Sequence, residues 1–286
     1  MTELKKQLVS AYITPLQPIR TTASPGGNLS GPVRAVVFDI YGTLFISASG
    51  GNTPEQLPQG RRPLLHRLLN KYDLSTTIGK LLKDLQREID RQHDSSRQRG
   101  IIYPEVDILQ IWRRVLPLED PEEIRRFAVE FEFIANPVYP MPHLARFLAR
   151  CAGSEARMGI ISNAQYYTPY LFEWLLGADL NQLGFDPELV LLSYRVGLAK
   201  PSAELFRRCA AKLDRCGIDP PEVVYVGNDM LKDIYPARAC GFQTALFAGD
   251  RRSLRLHSDS PRCTGLEPDL IITDLEQLLP HLTQSA

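Results

Sequence analysis

The sequence predicts an α/β fold, a doubly wound parallel (Rossmann-like) sheet core with an inserted all-helical cap domain. From Pro140 onward, short apolar strands alternate with helical patterns, which is typical of a parallel sheet covered on both faces. Between residues 48 and 137, apolar residues recur instead at helical spacing. Because a first apolar strand, residues 33–38, precedes this helical block, we expect the block to be inserted between that strand and the rest of the sheet.

The elements of the core follow one another in a regular order. Helical patterns cover residues 142–151, 166–176, 202–214 and about 231–240. Apolar strands follow these helices, and a further strand precedes a terminal helix; the strand sequences are ARMGIIS, ELVLLS, EVVYVGND, QTALFAG and DLIIT. The strand over residues 33–38 is expected to be a central member of the sheet.

Four helices are predicted in the inserted block, after a Gly- and Pro-containing loop over residues 48–60. Their apolar stripes include Leu64, Ile78, Leu109 and Phe127. Asp120 is expected to cap the fourth helix, with a proline in its first turn. The predicted organisation is a flexible N-terminal lead-in over residues 1–32, a catalytic core over 33–47 and 137–286, and a helical cap over 48–136.

Composition restricts the classes of partner. Lys plus Arg and Asp plus Glu number 33 each, so the balance gives no basis for binding nucleic acid or a membrane surface, and a small-molecule substrate is expected. The five cysteines include no C-x-x-C pair, which indicates reduced thiols in a cytoplasmic protein. No apolar run approaches 18 residues, and no signal peptide is recognised. The apolar helices fit a cap interior and a dimer interface equally well, so the oligomeric state stays open.

Polar residues follow the strands of the predicted sheet, where ligands bind in open parallel sheets. Asp39 follows the first strand, and Ser162 and Asn163 follow the second. Lys200 lies between the third strand and the next helix, and Asp229 and Asp233 follow the fourth. Each has an ordinary structural explanation as a turn, cap or surface residue. Their joint occurrence in this order indicates one site at the carboxyl edge of the sheet.

These residues stand in four short motifs, and with them the chain resembles the haloacid dehalogenase superfamily, hydrolases with an aspartate nucleophile. The resemblance covers residues 33 to 275, and the inserted block occupies the position of that superfamily's helical cap. The motifs are DIYGTL (39–44), IISN (160–163), AKP (199–201) and GNDMLKD (227–233).

The resemblance implies a role for each residue, and the chemistry of the residue types agrees. Asp39 is expected to attack phosphorus or carbon and form a covalent intermediate that water hydrolyses. Lys200 would neutralise charge on nucleophile and substrate, and Ser162 would hold substrate oxygens. Asp39, the backbone carbonyl of Tyr41 and Asp229 form an oxygen-rich set that suits Mg²⁺.

The remaining residues of the four motifs have supporting roles in this interpretation. Asp233 is expected to complete the metal site through water or to hold Lys200. Thr43 would fix the loop after the first strand by hydrogen bonding, and Gly42 permits its tight turn. Asn163 belongs to the catalytic set through the second motif.

Tyr41 and the fourth motif favour different reactions. Phosphatases of the superfamily carry a second aspartate at the position of Tyr41, where it acts as general acid and base, and 2-haloacid dehalogenases carry tyrosine. Phenol titrates near 10, so it is a poor base at pH 7. Asp229 and Asp233, however, are spaced as in the Mg²⁺-binding members. The first hypothesis is a Mg²⁺-dependent phosphatase acting on a small phosphorylated metabolite. A metal-independent dehalogenase and a catalytically weak binding protein are the alternatives.

Overall fold

The computed structural model describes residues 4–49 and 60–282. The chain forms two compact units. One contains Met1–Leu16 and Ser47–Tyr139, and the other contains Gln17–Ile46 and Pro140–Ala286. Most of the predicted loop over residues 48–60 lies outside the described residues.

Nine strands occur in the described ranges. In chain order they are β1 Gly26–Gly27, β2 Ala35–Phe38, β3 Phe45–Ser47, β4 Val138–Pro140, β5 Arg157–Ser162, β6 Phe185–Leu192, β7 Val223–Gly227, β8 Gln243–Phe247 and β9 Leu270–Ile272. Seven form one sheet in the order β1-β9-β8-β7-β2-β5-β6, and β3 and β4 form a separate two-stranded sheet. All neighbours in the large sheet are parallel except β1, which is antiparallel to β9. The predicted α/β fold class is confirmed.

Strand β2 lies at the centre of this sheet and positions the residue that follows it. It bonds to β5 on one side and β7 on the other, with Phe38 opposite Ile160 and Val226. All four of its residues are fully buried, as expected for a strand covered on both faces. The carboxyl ends of β2, β5 and β7 therefore meet at one edge, where Ser162 ends β5, Asp39 follows β2 and Asp229 follows β7.

The first unit contains four helices in its described part. They are α1 Arg62–Lys71, α2 Ile78–Gln98, α3 Ile108–Val115 and α4 Pro121–Ala135. Helix α4 begins as predicted, because the Asp120 side chain accepts a hydrogen bond from the Glu122 amide at 2.9 Å. Edge-to-face contacts of Phe127 with Tyr72 and Trp112 occupy the interior. Over the described residues, every helix is too short or too polar to cross a lipid bilayer.

The helices of the second unit cover its sheet. They are α5 Leu144–Ala152, α6 Tyr170–Leu176, α7 Ser193–Val196, α8 Glu204–Asp214 and α9 Tyr235–Ala239, with the 3₁₀ segment Leu275–His281 at the end. The predicted helix around 231–240 is divided into a π-helical turn, Met230–Ile234, and α9. Pro236, which has no N–H to donate, lies at the junction.

The N-terminal segment differs from the flexible lead-in that its composition predicts. Its first part belongs to the helical unit, where Val9 is fully buried and the Tyr12 hydroxyl donates to Glu130 at 2.7 Å. Glu130 is 1% exposed and also accepts hydrogen bonds from Tyr72 and Lys71. Burial and the Glu130 carboxylate raise the pKa of both tyrosines.

The second part of this segment belongs to the sheet unit. Thr21 donates to the carbonyl of Ala248, strand β1 pairs with β9, and the Ser30 amide donates to the Gln243 side chain at 2.5 Å. Composition favours a loop here because Gly, Ser and Pro lack local preference for regular structure. The partners that order the segment lie more than 200 residues away in sequence, so no local pattern contains them.

Candidate active site

Asp39 is held at the end of β2 by two donors. Its amide continues the β2–β7 ladder by donating to Val226 at 2.9 Å. The residue is buried, and Oδ1 of its carboxylate accepts hydrogen bonds from Ser162 Oγ at 2.8 Å and Lys200 Nζ at 2.7 Å. Because both bonds fall on Oδ1, the other oxygen, Oδ2, is the atom suited to attack an electrophile. Ser162 and Lys200 therefore orient a nucleophilic carboxylate, which is a prerequisite for covalent catalysis.

Lys200 is the buried cation of this cluster. Besides Asp39, its ammonium group donates to Asp233 Oδ1 at 2.5 Å and to the Tyr225 hydroxyl at 3.0 Å. Burial by itself lowers the pKa of Lys200, but the charges of Asp233 and Asp39 outweigh it, so that this pKa is raised. Lys200 therefore carries its positive charge in the folded protein and can offset negative charge on a substrate.

Asn163 fixes the backbone that carries Lys200. Its Oδ1 accepts from the Lys200 amide at 2.7 Å, and its Nδ2 donates to the Lys200 carbonyl at 3.3 Å. This pair of bonds joins the loop after β5 to the loop that precedes α8. The side chain of Asn163 therefore positions Lys200, and its two hydrogen bonds go to the Lys200 backbone and not to Asp39.

The loop after Asp39 is closed by a turn and by a side-chain contact across the sheet edge. Gly42 has φ of 86°, a left-handed conformation that suits glycine. Thr43 Oγ1 donates to Asn228 Oδ1 at 3.0 Å, and Asn228 Nδ2 donates to the Ser253 carbonyl at 2.6 Å. The role expected for Thr43, fixing this loop, agrees with this bond, and Asn228 continues the connection to a third segment.

The two carboxylates of the fourth motif have different surroundings. Asp229 caps the π-helical turn, because its Oδ1 accepts from the amides of Leu231 and Lys232. Asp233 is 1% exposed; its Oδ1 bonds Lys200 and its Oδ2 accepts from the Asp229 amide at 3.0 Å. Burial raises the pKa of Asp233 against the opposing charge of Lys200, and the carboxylates of Asp39 and Asp229 add to the rise.

Tyr41 points its hydroxyl toward the loop after β5. Its oxygen lies 3.0 Å from Thr168 Oγ1, and Thr168 is fully buried and accepts from the Gln165 amide at 3.1 Å. The side chain at this position is therefore a phenol whose oxygen is within hydrogen-bond distance of Thr168.

Comparison with known proteins identifies the family. Residues 33–241 match the family described as haloacid dehalogenase-like hydrolase. The chain belongs to this family. The predicted superfamily and the predicted class of enzyme, a hydrolase, are therefore confirmed.

This hydrolase is similar in sequence to two phosphatases and in fold to a dehalogenase. It is 23% identical over 221 residues to the glyceraldehyde 3-phosphate phosphatase of Methanocaldococcus jannaschii, which covers 74% of this chain and 83% of that protein. It is 31% identical over 160 residues to the phosphoserine phosphatase of Thermus thermophilus, over 55% of this chain and 57% of that one. The structure of 2-haloacid dehalogenase from Pseudomonas syringae pv. Tomato DC3000 aligns with a TM-score of 0.55 and 21% identity, over 87% and 97% of the two chains. This last likeness shows the fold.

The carboxylates of this hydrolase can be tested against the Mg²⁺ that phosphatases of the family use. Within residues 4–49 and 60–282, no three His, Cys, Asp or Glu side chains form a metal-binding group. Asp233 directs both oxygens to protein donors, so we do not count it as a direct ligand. Asp39 and Asp229 remain, since neither directs both of its carboxylate oxygens to protein donors. Mg²⁺ is commonly held by one or two carboxylates, substrate phosphate and water, so this pair fits it.

Sequence reasoning missed the group that completes the Lys200 cluster. The Tyr225 hydroxyl accepts from Lys200 and donates to the Ile161 carbonyl at 2.8 Å, and it lies 3.1 Å from Asp233 Oδ1. The available signal was a single hydroxyl-bearing residue within the otherwise aliphatic strand β7. Thr168 and Asn228 carried no comparable signal, because their partners are 127 and 185 residues away in sequence.

Proposed function

We propose that this hydrolase is a Mg²⁺-dependent phosphatase acting on a small phosphorylated metabolite. One observation carries the proposal: in the part of the chain that the structure describes, Lys200 is buried between the carboxylates of Asp39 and Asp233, and a third buried carboxylate, Asp229, neighbours Asp233. Such an excess of negative charge favours a divalent cation. The names of two relatives, a glyceraldehyde 3-phosphate phosphatase and a phosphoserine phosphatase, agree with a phosphate ester as substrate.

The proposed reaction proceeds by two displacements at phosphorus. Oδ2 of Asp39 forms a bond to phosphorus while the ester P–O bond breaks, and the leaving oxygen takes a proton from water or from Tyr41. Water then attacks phosphorus and the bond between phosphorus and Asp39 Oδ2 breaks, which releases inorganic phosphate and free Asp39. Where Tyr41 was the proton donor, a proton lost by this water restores its phenol. Lys200 offsets charge on the nucleophile and the phosphoryl oxygens, and Ser162 fixes the orientation of Asp39. When bound by Asp39, Asp229 and the Tyr41 carbonyl, Mg²⁺ would neutralise phosphoryl charge.

A second candidate is the hydrolysis of a carbon–halogen bond. Tyr41 favours it, because halide leaves without a proton and needs no carboxylic acid at this position. One feature favours the phosphatase. The dehalogenases of the superfamily have a tyrosine six residues after the lysine, where this chain has Phe206, which is fully buried against Tyr225.

The deciding experiment measures two products in parallel. Purified protein and the Asp39→Asn variant are incubated with an aryl phosphate and, separately, with a 2-haloacid, each with Mg²⁺ and with chelator. We expect phosphate release that requires Mg²⁺ and is abolished in Asp39→Asn, since the amide is not a nucleophile. Halide release in chelator would instead support the dehalogenase. Ligand binding without either product would support a catalytically weak binding protein.

We also propose that the protein acts in the cytoplasm. All five cysteines are unpaired, which suits a reducing compartment. To test this assignment, freshly lysed cells are treated with an alkylating reagent and the number of modified cysteines in the protein is measured. We expect all five cysteines to react as free thiols once the protein is denatured.

A further inference from the structure

A segment outside the four motifs runs alongside the fourth motif. Residues 251–267 are polar, and their composition predicts a solvated loop before the last strand. In the structure, the Arg255 amide donates to the Asn228 carbonyl at 3.0 Å, and the Met230 amide donates to the Arg255 carbonyl at 2.8 Å. These two bonds bracket Asp229, so the segment is fixed in register against the residue that the proposed function makes a metal ligand.

His257, two residues after Arg255, has an unusual backbone conformation. Its φ is 50°, in the left-handed region that few residues other than glycine adopt. The Ser260 amide donates to its carbonyl at 2.8 Å, which closes a turn there. Such a conformation persists where the surroundings require it, and functional sites are common places for it.

The imidazole of His257 is packed against Asp229. Its Nε2 is buried and lies 2.9 Å from Asp229 Oδ1, although the contact is not aligned as a hydrogen bond. Oδ1 already accepts from the amides of Leu231 and Lys232, so the ring closes the remaining side of this oxygen. The carboxylate is thereby restrained from rotation, with Oδ2 as its free oxygen.

We propose that His257 is a positioning residue that fixes the Asp229 carboxylate for binding of a divalent cation. The proposal rests on the proposed function, since it assumes that Asp229 is a ligand. Groups that orient metal ligands typically contribute about 10- to 100-fold to metal affinity. His257 would make such a contribution through packing against Oδ1, without contacting the metal or the substrate.

Matched variants separate the imidazole from the backbone. Glycine and asparagine both tolerate positive φ, but glycine has no side chain. Binding of Mn²⁺ alone is measured by electron paramagnetic resonance for the wild type, His257→Gly, His257→Asn and Asp229→Asn. Leu256→Ser is the control, because Leu256 is 52% exposed in the same segment. Melting temperatures without metal are recorded for all five proteins.

We expect His257→Gly to bind Mn²⁺ about 10-fold or more weakly. His257→Asn is expected to bind more tightly than His257→Gly, and Leu256→Ser as the wild type. Equal affinity of His257→Gly and the wild type would overturn the proposal, as would an affinity of His257→Asn equal to that of the wild type, which would show that the imidazole is not required. Absence of Asp229-dependent binding in the wild type would overturn the metal site of the proposed function as well; retained binding in the wild type with an unaffected His257→Gly would overturn this inference alone.

Discussion

At the scale of single residues, the cluster around Lys200 contains one residue that is proposed to react and others that hold Lys200 in place. Asp39 is the nucleophile of the proposal, while Asn163, Tyr225 and Asp233 fix Lys200 from its backbone and its ammonium group. Tyr41 is the residue where the chain departs from the phosphatases of its superfamily. The effect of Tyr41 on the reaction rate therefore depends on whether the leaving group must be protonated as it departs.

Tyr41→Asp is expected to accelerate hydrolysis of alkyl phosphates. General acid catalysis typically contributes about 10²- to 10⁴-fold, and a carboxylic acid at this position would supply it where alkoxide leaves. An aryl phosphate is the internal control, because phenoxide leaves readily without a proton. The measurement is the ratio of kcat/KM for the two substrates, and we expect it to shift toward the alkyl ester by about tenfold or more. An unchanged ratio would show that leaving-group protonation is supplied by another group.

At the scale of elements, the loop after β2 depends on a glycine for two separate reasons. A Cβ at Gly42 would be strained by the φ of 86° and would lie 2.5 Å from the Cβ of Ser253. Gly177 is a matched control, because its φ is 79° but no atom lies within 4 Å of the corresponding Cβ position. A comparison of the two alanine variants therefore distinguishes the cost of backbone strain from the cost of close packing.

Both Gly→Ala variants are expected to be destabilised by about 1–2 kcal/mol from the left-handed backbone alone. Gly42→Ala should lose a further ~1–3 kcal/mol from overpacking against Ser253. Urea unfolding of the two variants and the wild type measures the difference. Equal losses would mean that the segment at Ser253 moves away without cost.

The N-terminal segment is a second element whose stability can be measured. Tyr12→Phe removes a donor to the buried Glu130, and hydrogen bonds to charged groups contribute about 1.5–3 kcal/mol. We expect a loss of that size in the free energy of unfolding by urea. Ser10→Ala is the control, because Ser10 is exposed and bonds only its own turn. A Tyr12→Phe protein as stable as the wild type would argue against ordered packing of this segment.

At the scale of the whole molecule, the excess of buried negative charge links metal binding to stability. A ligand that binds only the folded state stabilises it by RT ln(1 + [L]/Kd), which is about 1.4 kcal/mol at ten times Kd. We expect Mg²⁺ to raise the melting temperature of the wild type by the corresponding amount. The increment should vanish in Asp229→Asn, whatever that substitution does to the metal-free protein. A Mg²⁺ increment that persists in Asp229→Asn would indicate binding elsewhere.

Much of the secondary structure of the second unit could be predicted from the sequence, because neighbouring residues along the chain determine it. The period of the apolar residues identifies strands and helices, and a parallel sheet brings polar residues at strand ends to one edge. Asp39, Ser162 and Lys200 meet there in the structure. The prediction of one helix around 231–240 was only partly right, because this segment begins as a π-helical turn and continues as α9, with Pro236 in the first turn of α9.

The sequence by itself determined the fold class, the family and which polar residues follow the strands at one edge of the sheet, since each is encoded in short motifs and their order. Only the tertiary structure decided the use of individual atoms. It assigned both oxygens of Asp233 to protein donors, ordered the N-terminal segment and brought His257 against Asp229. These contacts join residues that are adjacent only after the sheet has formed, or depend on the direction of one side chain, and neither is expressed in the spacing of residues along the chain.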